Sequence, residues 1–342
     1  MNRRWICSDV WMDILPSFDR FQLGLKMALL SDRFDILVDT HFNGKSELTI
    51  WRRITIDKDK GPRAKLSEWI DGKWVDFPFP DRPLPNKIRF KHLNIRYIDH
   101  SVIEFLRSNK QIWDKRGTKL ELSIDDYDQP IWDVFIRQIW PIFTTNLRHL
   151  RIDNGDALDN LRSRISPTIL TDLNIHSINS GVLCPDAIAD DGPNATAGQV
   201  LSKWLHTPTI DGQPKRLHCR DYYGRPKNLE WVNNLKEAFL RATSSVSYII
   251  RIDHVRAMPT EPFESVNERT KEKLTLEKVT RYDDFDLLLK RCPISEKAAI
   301  QWKNWDDKLN NVKFDLWGGN DSIGPLSPST EEKADQSNEN VV

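Results

Sequence analysis

The sequence predicts a mixed α/β protein made of a helical module over residues 4–45, a short β-hairpin spacer over 46–86 and an irregular α/β solenoid over 87–300. Three observations support this division. Apolar residues recur at three- and four-residue steps near the start, apolar residues alternate with polar ones after residue 46, and strand and helix patterns alternate beyond residue 87. Residues 318–342 are rich in Gly, Ser, Pro, Asn and acids, which predicts a disordered tail.

The overall composition narrows the classes of function. The 342 residues carry 50 basic and 50 acidic side chains, so net charge provides no general attraction to nucleic acid or anionic lipid. No apolar run approaches the roughly 20 residues of a membrane helix, and the first residues lack the apolar centre of a signal peptide. Four widely spaced cysteines predict reduced thiols. We therefore expect a cytoplasmic or nuclear protein that binds neither nucleic acid nor membrane.

The helical module is predicted to contain three short helices. The first begins near an N-cap at Ser8 or Asp9, and Pro16 kinks or ends it. The second covers about residues 21–30, and the third begins around Ser31 or Asp32 and continues to about residue 40. About forty residues seldom form a stable core alone, so either the rest of the chain or another protein is expected to cover this module.

Residues 46–86 change to the periodicity of strands. Leu48, Ile50, Ile54 and Ile56 alternate with polar residues and predict a strand. Asp71-Gly72 between two apolar runs is a strong hairpin signal. Four prolines within residues 78–85 predict a stiff, extended spacer between two domains.

Beyond the prolines, the order of strands and helices indicates a loose repeat. Predicted strands centred on Leu93, Leu122, Leu150 and Leu173 are separated by 29, 28 and 23 residues, close to the roughly 20–29-residue period of leucine-rich repeats. The next step, to Leu217, is 44 residues and predicts an inserted loop. The alternation favours a leucine-rich-repeat-like solenoid with a parallel sheet on one side and helices on the other. A doubly wound sheet is the alternative.

Four further elements are predicted from local signals. A capping box from Ser101 to Glu104 starts a helix, and Asn194 or Thr196 caps another. Residues 263–266 and 273–276 pair as an antiparallel cap, and a last helix covers about 284–291. Most tryptophans lie on helical stripes and are expected in the core, namely Trp132, Trp140, Trp204 and Trp231.

Signals for catalysis, cofactors or metals are weak. The sequence has no Gly-rich phosphate loop, nucleophile elbow or His-Glu-x-x-His motif. His218-Cys219 is interpreted as a surface imidazole beside a buried thiol, because strand neighbours point to opposite faces. The acidic residues Asp125, Asp126 and Asp128 are interpreted as turn and cap residues rather than a cation site. We expect no enzyme activity, no cofactor and no metal; a hydrolase of unspecified class is the least favoured alternative.

The opening segment resembles an F-box. Ile6 with Asp9 and then the ladder Val10, Ile14 and Leu15 follow that motif, as do LSDRF (30–34) and Leu37-Val38; Ile6-Cys7 stands where the motif has Leu-Pro. The whole chain looks like an F-box-like family expanded in plant-parasitic cyst nematodes, over roughly residues 4–300. The phrases that carry this resemblance include ALLSDRFDILVD (28–39), DRPLPNKIRF (81–90) and GPNATAGQVLSKWLHTP (192–208).

The resemblance implies a non-enzymatic substrate-recognition adaptor of an SCF-type ubiquitin ligase. Its F-box-like module would bind a Skp-family adaptor, and through it the cullin scaffold, while the repeat-like domain would bind an unidentified target protein. The predicted adaptor contacts are Ile6, Val10, Ile14, Leu15, Leu23, Leu25, Leu29, Leu30, Phe34, Leu37 and Val38. The alternative is a repeat-type protein-binding scaffold whose N-terminal helices cap the solenoid without recruiting a ligase.

Overall fold

The computed structural model has a mixed α/β architecture built on one sheet of twelve strands. It describes residues 6–18, 22–42, 48–58, 64–70, 73–80, 84, 88–113, 117–123, 129–152, 154–220, 230–255, 261–281 and 284–295.

The strands follow a simple order across the sheet. They are β1 Leu48–Lys58, β2 Ala64–Ile70, β3 Lys73–Pro78, β4 Ile88–Ile95, β5 Thr118–Leu122, β6 Leu147–Arg151, β7 Ser177–Asn179, β8 Lys215–Arg220, β9 Tyr248–Val255, β10 Phe263–Asn267, β11 Glu272–Arg281 and β12 Asp284–Pro293. The spatial order is β10-β11-β12-β9-β8-β7-β6-β5-β4-β1-β2-β3. From β1 through β4 to β9 neighbouring strands are parallel, and the outer pairs at both ends are antiparallel.

The helices lie before and between these strands. They are α1 Ser8–Ile14, α2 Asp32–Phe42, α3 His100–Ser108, α4 Gln129–Val134, α5 Trp140–Phe143, α6 Gly155–Arg164, α7 Ile169–Asp172, α8 Ala197–His206 and α9 Glu230–Arg241. Shorter turns of 3-10 or π type are Leu15–Ser17, Leu23–Met27, Ala28–Leu30, Lys110–Ile112 and Phe135–Ile139.

The parallel strands advance across the sheet in one direction. Strand β4 lies beside β1, each strand from β5 to β9 lies beside the strand that precedes it, and the order of these parallel strands never reverses. Crossovers between parallel strands are almost always right-handed, so a one-directional order places the connecting helices on a single face. The described strands therefore exclude the doubly wound alternative, which requires a reversal of strand order.

The inner face of the sheet, on the helix side, carries an aliphatic ladder of register partners. The ladder residues are Ile54, Leu93, Leu120, Leu150, Ile178, Leu217, Ile250 and Leu289. None is more than 2% exposed. Helix residues that share this core include Trp132, Trp204 and Phe239, each 0% exposed. The steps along the chain from Leu93 to Ile250 are 27, 30, 28, 39 and 33 residues, so the spacing of the ladder residues is irregular.

The N-terminal module shares the core of the sheet. Its buried residues are Leu15, Leu23, Ala28, Leu37, Val38 and Phe42, all part of the same apolar cluster as the sheet residues. The Lys26 ammonium lies 5.0 Å from the ring centroid of Phe77, a buried residue of β3. The apolar side of the module is therefore covered at least in part by the chain itself.

The predicted spacer is part of the sheet. Strand β1 pairs in parallel with β4, and β2 and β3 form the predicted hairpin with Ile70 opposite Lys73; Asp71-Gly72 lies outside the described residues. Within the proline-rich stretch, Leu84 is 2% exposed and its backbone N–H donates to Asn109 Oδ1 at 2.7 Å. The prediction of a separating spacer is therefore wrong, because backbone pairing and a buried leucine join this segment to the sheet.

Several helix starts differ from the predictions. Helix α1 begins at Ser8, so Cys7 is the N-cap and makes no side-chain cap bond. Helix α3 is capped by Asp99, which accepts from the Val102 N–H at 3.0 Å, rather than by Ser101. The predicted second helix is a π turn followed by a 3-10 turn. Thr196 is confirmed as a cap, with a complete capping box to Gln199.

Two predicted elements are wrong in type. Residues 170–175 contain the end of helix α7 and irregular chain, and the strand comes later, as β7. Leu170 and Leu173 are three apart, which in a strand would place them on opposite faces and suits a helical turn better. The predicted last helix over 284–291 is strand β12, in which Leu287, Leu289 and Arg291 alternate toward the core. Strands on both sides hold β12 by backbone hydrogen bonds.

Candidate protein-binding surfaces

The N-terminal module is held together by two contacts between its first and last helices. The rings of Trp11 on α1 and Phe34 on α2 meet edge to face, with centroids 4.8 Å apart. Arg33 Nη2 donates to the backbone oxygen of Ile6 at 2.5 Å. Ser31 Oγ accepts from the Phe34 N–H at 3.4 Å, a long cap bond at the start of α2. These contacts make α1 and α2 one unit.

Part of the predicted adaptor-binding set is exposed on this unit. Leu30 is 63% exposed, Ile6 is 46% exposed and Val10 is 44% exposed. Ile36 on α2 is 66% exposed and was missed, because its spacing from Leu37 and Val38 places it off the buried stripe. These four residues, Ile6, Val10, Leu30 and Ile36, are called the exposed apolar set below.

The other predicted adaptor contacts are less available. Ile14, Leu29 and Phe34 are half-buried, and the side chain of Leu25 lies outside the described residues. Those that are buried are Leu15, Leu23, Leu37 and Val38, with exposed fractions of 6% or less. For these four the prediction of a direct partner contact needs correction, because in this arrangement their side chains pack inside the protein.

The outer face of the sheet, opposite the aliphatic ladder, carries polar and charged side chains in rows. Residues that neighbour ladder residues along a strand point to this face. One row contains Asn94, Glu121, Arg151, Asn179, His218 and Arg251, and the next contains His92, Lys119, His149, Ser177 and Arg216. The outer face is therefore polar across six adjacent strands, from β4 to β9.

Glu121 is the centre of one outer-face cluster. Its carboxylate lies 3.2 Å from His92 Nε2, 3.4 Å from Arg151 Nη1 and 3.9 Å from Lys119 Nζ. Glu121 is 2% exposed. A buried carboxylate requires such partners, since an unpaired buried charge is costly.

His218 is the centre of a second cluster. His218 Nδ1 lies 3.0 Å from Asn179 Nδ2, and His218 Nε2 lies 2.5 Å from Asp253 Oδ2. Arg251 donates to Asp253 at 2.7 Å and to Asp286 at 2.7 Å. Burial alone would raise the pKa of Asp253, but the hydrogen bond and charge of His218, with the charge of Arg251, lower it to about 2.

The prediction that His218 is a surface imidazole is wrong. His218 is 4% exposed, and it is the hydrogen-bonded partner of Asp253 from the adjacent strand. Cys219 on the opposite face is buried as predicted, and Cys292 is buried too. The sequence contained a signal for this network, because polar residues alternate with ladder residues in each strand, but it did not reveal which residues lie side by side.

Trp132, Trp140 and Trp204 are in the core as predicted, and Trp231 is half-buried. The acidic residues Asp125, Asp126 and Asp128 lie outside the described residues, as does the tail over 318–342. Within the part that the structure describes, no group of three or more His, Cys, Asp or Glu side chains is placed to hold a metal ion. Among the described helices, none has the length and apolar character that a membrane crossing requires.

Comparison with protein-family models, with curated proteins and with solved structures finds no match to this chain.

Proposed function

We propose that the chain is a non-enzymatic substrate-recognition adaptor of an SCF-type ubiquitin ligase. The F-box-like module binds a Skp-family adaptor that links it to a cullin scaffold, and the leucine-rich-repeat-like domain binds a target protein. The observation that carries the proposal is the exposed apolar set on a module whose own interior is already filled. Large apolar side chains grouped on one small unit are typical of protein-binding sites.

The module presents the exposed apolar set from one packed unit. Arg33 ties the backbone of Ile6 to α2, and the Trp11–Phe34 contact fixes α1 against the same helix. A partner that covers this module would bury roughly 800 Å² on each side, the size of an ordinary stable interface. Each large apolar side chain that becomes fully buried contributes on the order of 2 kcal/mol.

The repeat-like interpretation of the rest of the chain rests on the aliphatic ladder. One apolar ladder residue per strand, sequential parallel strands and helices on a single side are the features that leucine-rich repeats share. Such arrays offer long open surfaces for protein binding. Target binding is assigned to the outer face, where polar and charged side chains lie in rows across six strands.

The second candidate is a protein-binding scaffold in which the module caps the sheet. Leu15, Leu23 and Leu37 share the core of the sheet, and Lys26 lies over the ring of Phe77 on β3, which favours this alternative. Capping uses the buried side of the module, whereas adaptor binding uses the exposed apolar set. The two functions therefore depend on different residues and can be separated by mutation.

A co-purification experiment tests the adaptor proposal. Full-length chain carrying Leu30→Asp is expected to lose at least ten-fold in binding to a Skp-family adaptor, because the charge enters the centre of an apolar interface. Ile210→Asp is the matched control, since Ile210 is 89% exposed in the segment before β8, away from the module. Both variants should unfold at the wild-type temperature, since both positions are exposed. Equal adaptor binding by Leu30→Asp and Ile210→Asp would favour the capping scaffold instead.

A further inference from the structure

One row of the outer face consists of nitrogen-bearing side chains and a hydroxyl. Lys119 pairs in register with His149, His149 with Ser177, and Ser177 with Arg216. These four residues, called the basic row, lie on four adjacent strands and point away from the ladder. Strands are about 4.8 Å apart, so the row from Lys119 to Arg216 spans about 14 Å.

Three residues of the basic row, His149, Ser177 and Arg216, take little part in holding the fold together, whereas Lys119 pairs with Glu121. Arg216 Nε is buried without a hydrogen-bond partner in the described part of the chain. Within that part no side-chain hydrogen bond or ion pair involves Arg216, Ser177 or His149. A cation held partly out of water without a carboxylate is unfavourable unless a ligand supplies the charge.

The local charges favour an anion. Burial, followed by the charges of Lys119 and Arg216, lowers the pKa of His149 to about 3, so its ring is neutral at neutral pH. Lys119 lies 3.9 Å from Glu121, but that one carboxylate is shared with His92 and Arg151. Asp211 pairs with His176 at 3.5 Å. The row therefore has a cation at each end, with a neutral imidazole and a hydroxyl between them. Lys119 shares one carboxylate with another cation, and Arg216 has no carboxylate partner in the described part of the chain.

The geometry favours an extended peptide as the occupant. An extended chain advances about 3.4 Å per residue, so acidic side chains at positions i and i+4 lie about 14 Å apart. That separation matches the distance between the two ends of the basic row. A nucleic acid fits less well, since the chain has no net positive charge and the row has two permanent cations.

We propose that the basic row binds an extended acidic segment of the target protein, with acidic groups four residues apart contacting Lys119 and Arg216. His149 and Ser177 contribute hydrogen bonds between these two ends. The inference rests on the part of the proposed function that assigns target binding to the outer face, and it is independent of adaptor binding by the module.

Fluorescence anisotropy with the full-length chain tests the proposal. The probes are labelled nine-residue Gly/Ser peptides with two phosphoserines at positions 3 and 7, two glutamates at the same positions, or two phosphoserines at positions 4 and 5. Both spaced peptides should bind, and the spaced phosphopeptide should bind about ten-fold more tightly than the adjacent one, whose charges cannot reach both ends. Equal affinity for the spaced and adjacent phosphopeptides would overturn the proposal.

Substitutions test whether Arg216 contributes to peptide binding. Arg216→Glu should weaken binding of the spaced phosphopeptide at least ten-fold, and Arg216→Gln by a smaller factor. Arg241→Glu is the matched control, because Arg241 is an exposed arginine on α9, on the helix side. Equal losses of peptide affinity in Arg216→Glu and Arg241→Glu would contradict a peptide site. Tighter binding of a single-stranded oligonucleotide, with the same dependence on Arg216, would contradict it too.

The chain's own tail is the competing occupant. Residues 318–342 contain Asp321, Glu331, Glu332, Asp335 and Glu339 against one basic residue, Lys333. If peptide binding appears only in a full-length variant with Glu331→Gln and Glu332→Gln, the row serves the tail and the assignment to a target is wrong. Loss of peptide binding with retained adaptor binding would refute this inference alone, and Leu30→Asp should leave peptide binding intact.

Discussion

The inner and outer faces of the sheet differ in what holds neighbouring strands together. On the inner face, Leu150 and its register partners form an aliphatic ladder with almost no exposure. On the outer face of the same strand, His149 and Arg151 lie in rows of polar and charged side chains. Because side chains alternate along a strand, each of these strands contributes to both faces.

The two faces differ in how precisely their side chains must be positioned. Apolar burial has no direction, so the ladder tolerates any large aliphatic residue and even an irregular chain spacing. The ion pairs of the outer face need particular atoms at particular distances, as in the contact between His218 and Asp253. One ion pair lies on the inner face instead, between Arg291 on β12 and Glu272 on β11. It allows a buried ion pair to be compared directly with an exposed one.

The largest effect is expected from breaking that inner pair. Arg291 is 1% exposed and donates to Glu272 Oε2 through Nε at 3.0 Å and Nη2 at 2.6 Å; Glu272 is 0% exposed. Arg291→Ala leaves a buried carboxylate without its cation, which should cost about 3–5 kcal/mol of unfolding free energy. Urea unfolding followed by circular dichroism measures the loss.

The control for this prediction is an exposed pair of the same chemistry. Arg241→Ala removes the partner of Glu237 on α9, where both side chains are more than half exposed, and should cost less than about 0.5 kcal/mol. The double variant Glu272→Gln with Arg291→Met should recover much of the loss, since it removes both buried charges. If Arg291→Ala costs no more than Arg241→Ala, the inner pair does not stabilise the sheet.

An intermediate effect is expected on the outer face in acid. The pKa of Asp253 is lowered to about 2 in the folded chain from a usual 3.8, so its contribution is present above pH 4 and is lost as the pH falls from about 4 to about 2. The size is on the order of 2 kcal/mol, about 1.4 kcal/mol for each pKa unit. Urea unfolding at several pH values should show a weaker acid dependence for Asp253→Asn than for the wild type.

Asp76 is the matched residue at the sheet edge. Hydrogen bonds from Lys65 and Ser67 lower its pKa too, but its side chain is 53% exposed and solvent screens the pair. Asp76→Asn should therefore alter the acid dependence much less than Asp253→Asn. Identical acid profiles for the wild type and Asp253→Asn would mean that His218 and Arg251 contribute nothing through this carboxylate.

Local patterns in the sequence were sufficient to predict most of the strands. The alternation in residues 48–56, the two apolar runs on either side of Asp71-Gly72 and the pairing of 263–266 with 273–276 all correspond to strands in the structure. The error at 284–291 arose because Leu287, Leu288 and Leu289 are consecutive and give no period, so neighbouring strands decide the outcome. Tertiary pairing of this kind is not visible in a local window.

The candidate surfaces were predictable in part. The helical module and its apolar residues were visible in the sequence, but which of them are exposed depends on how the module packs against β3. The alternation of polar residues marked the outer face, whereas the contact between His218 and Asp253 joins residues 35 positions apart. The sequence does not state register between strands, so it cannot show which side chains form a row.

The smallest effect is expected at Arg216, and it separates binding from stability. Arg216→Gln removes a partly buried cation that no described carboxylate compensates, so unfolding free energy should change by less than about 0.5 kcal/mol or rise slightly. Urea unfolding of Arg216→Gln and Arg151→Gln provides the comparison, because Arg151 contacts Glu121 at 3.4 Å and its loss should destabilise the sheet. If Arg216→Gln is as destabilising as Arg151→Gln, Arg216 is part of the structural network. If it is neutral while peptide binding falls, the row is maintained for a ligand rather than for the fold, as expected of residues kept for binding.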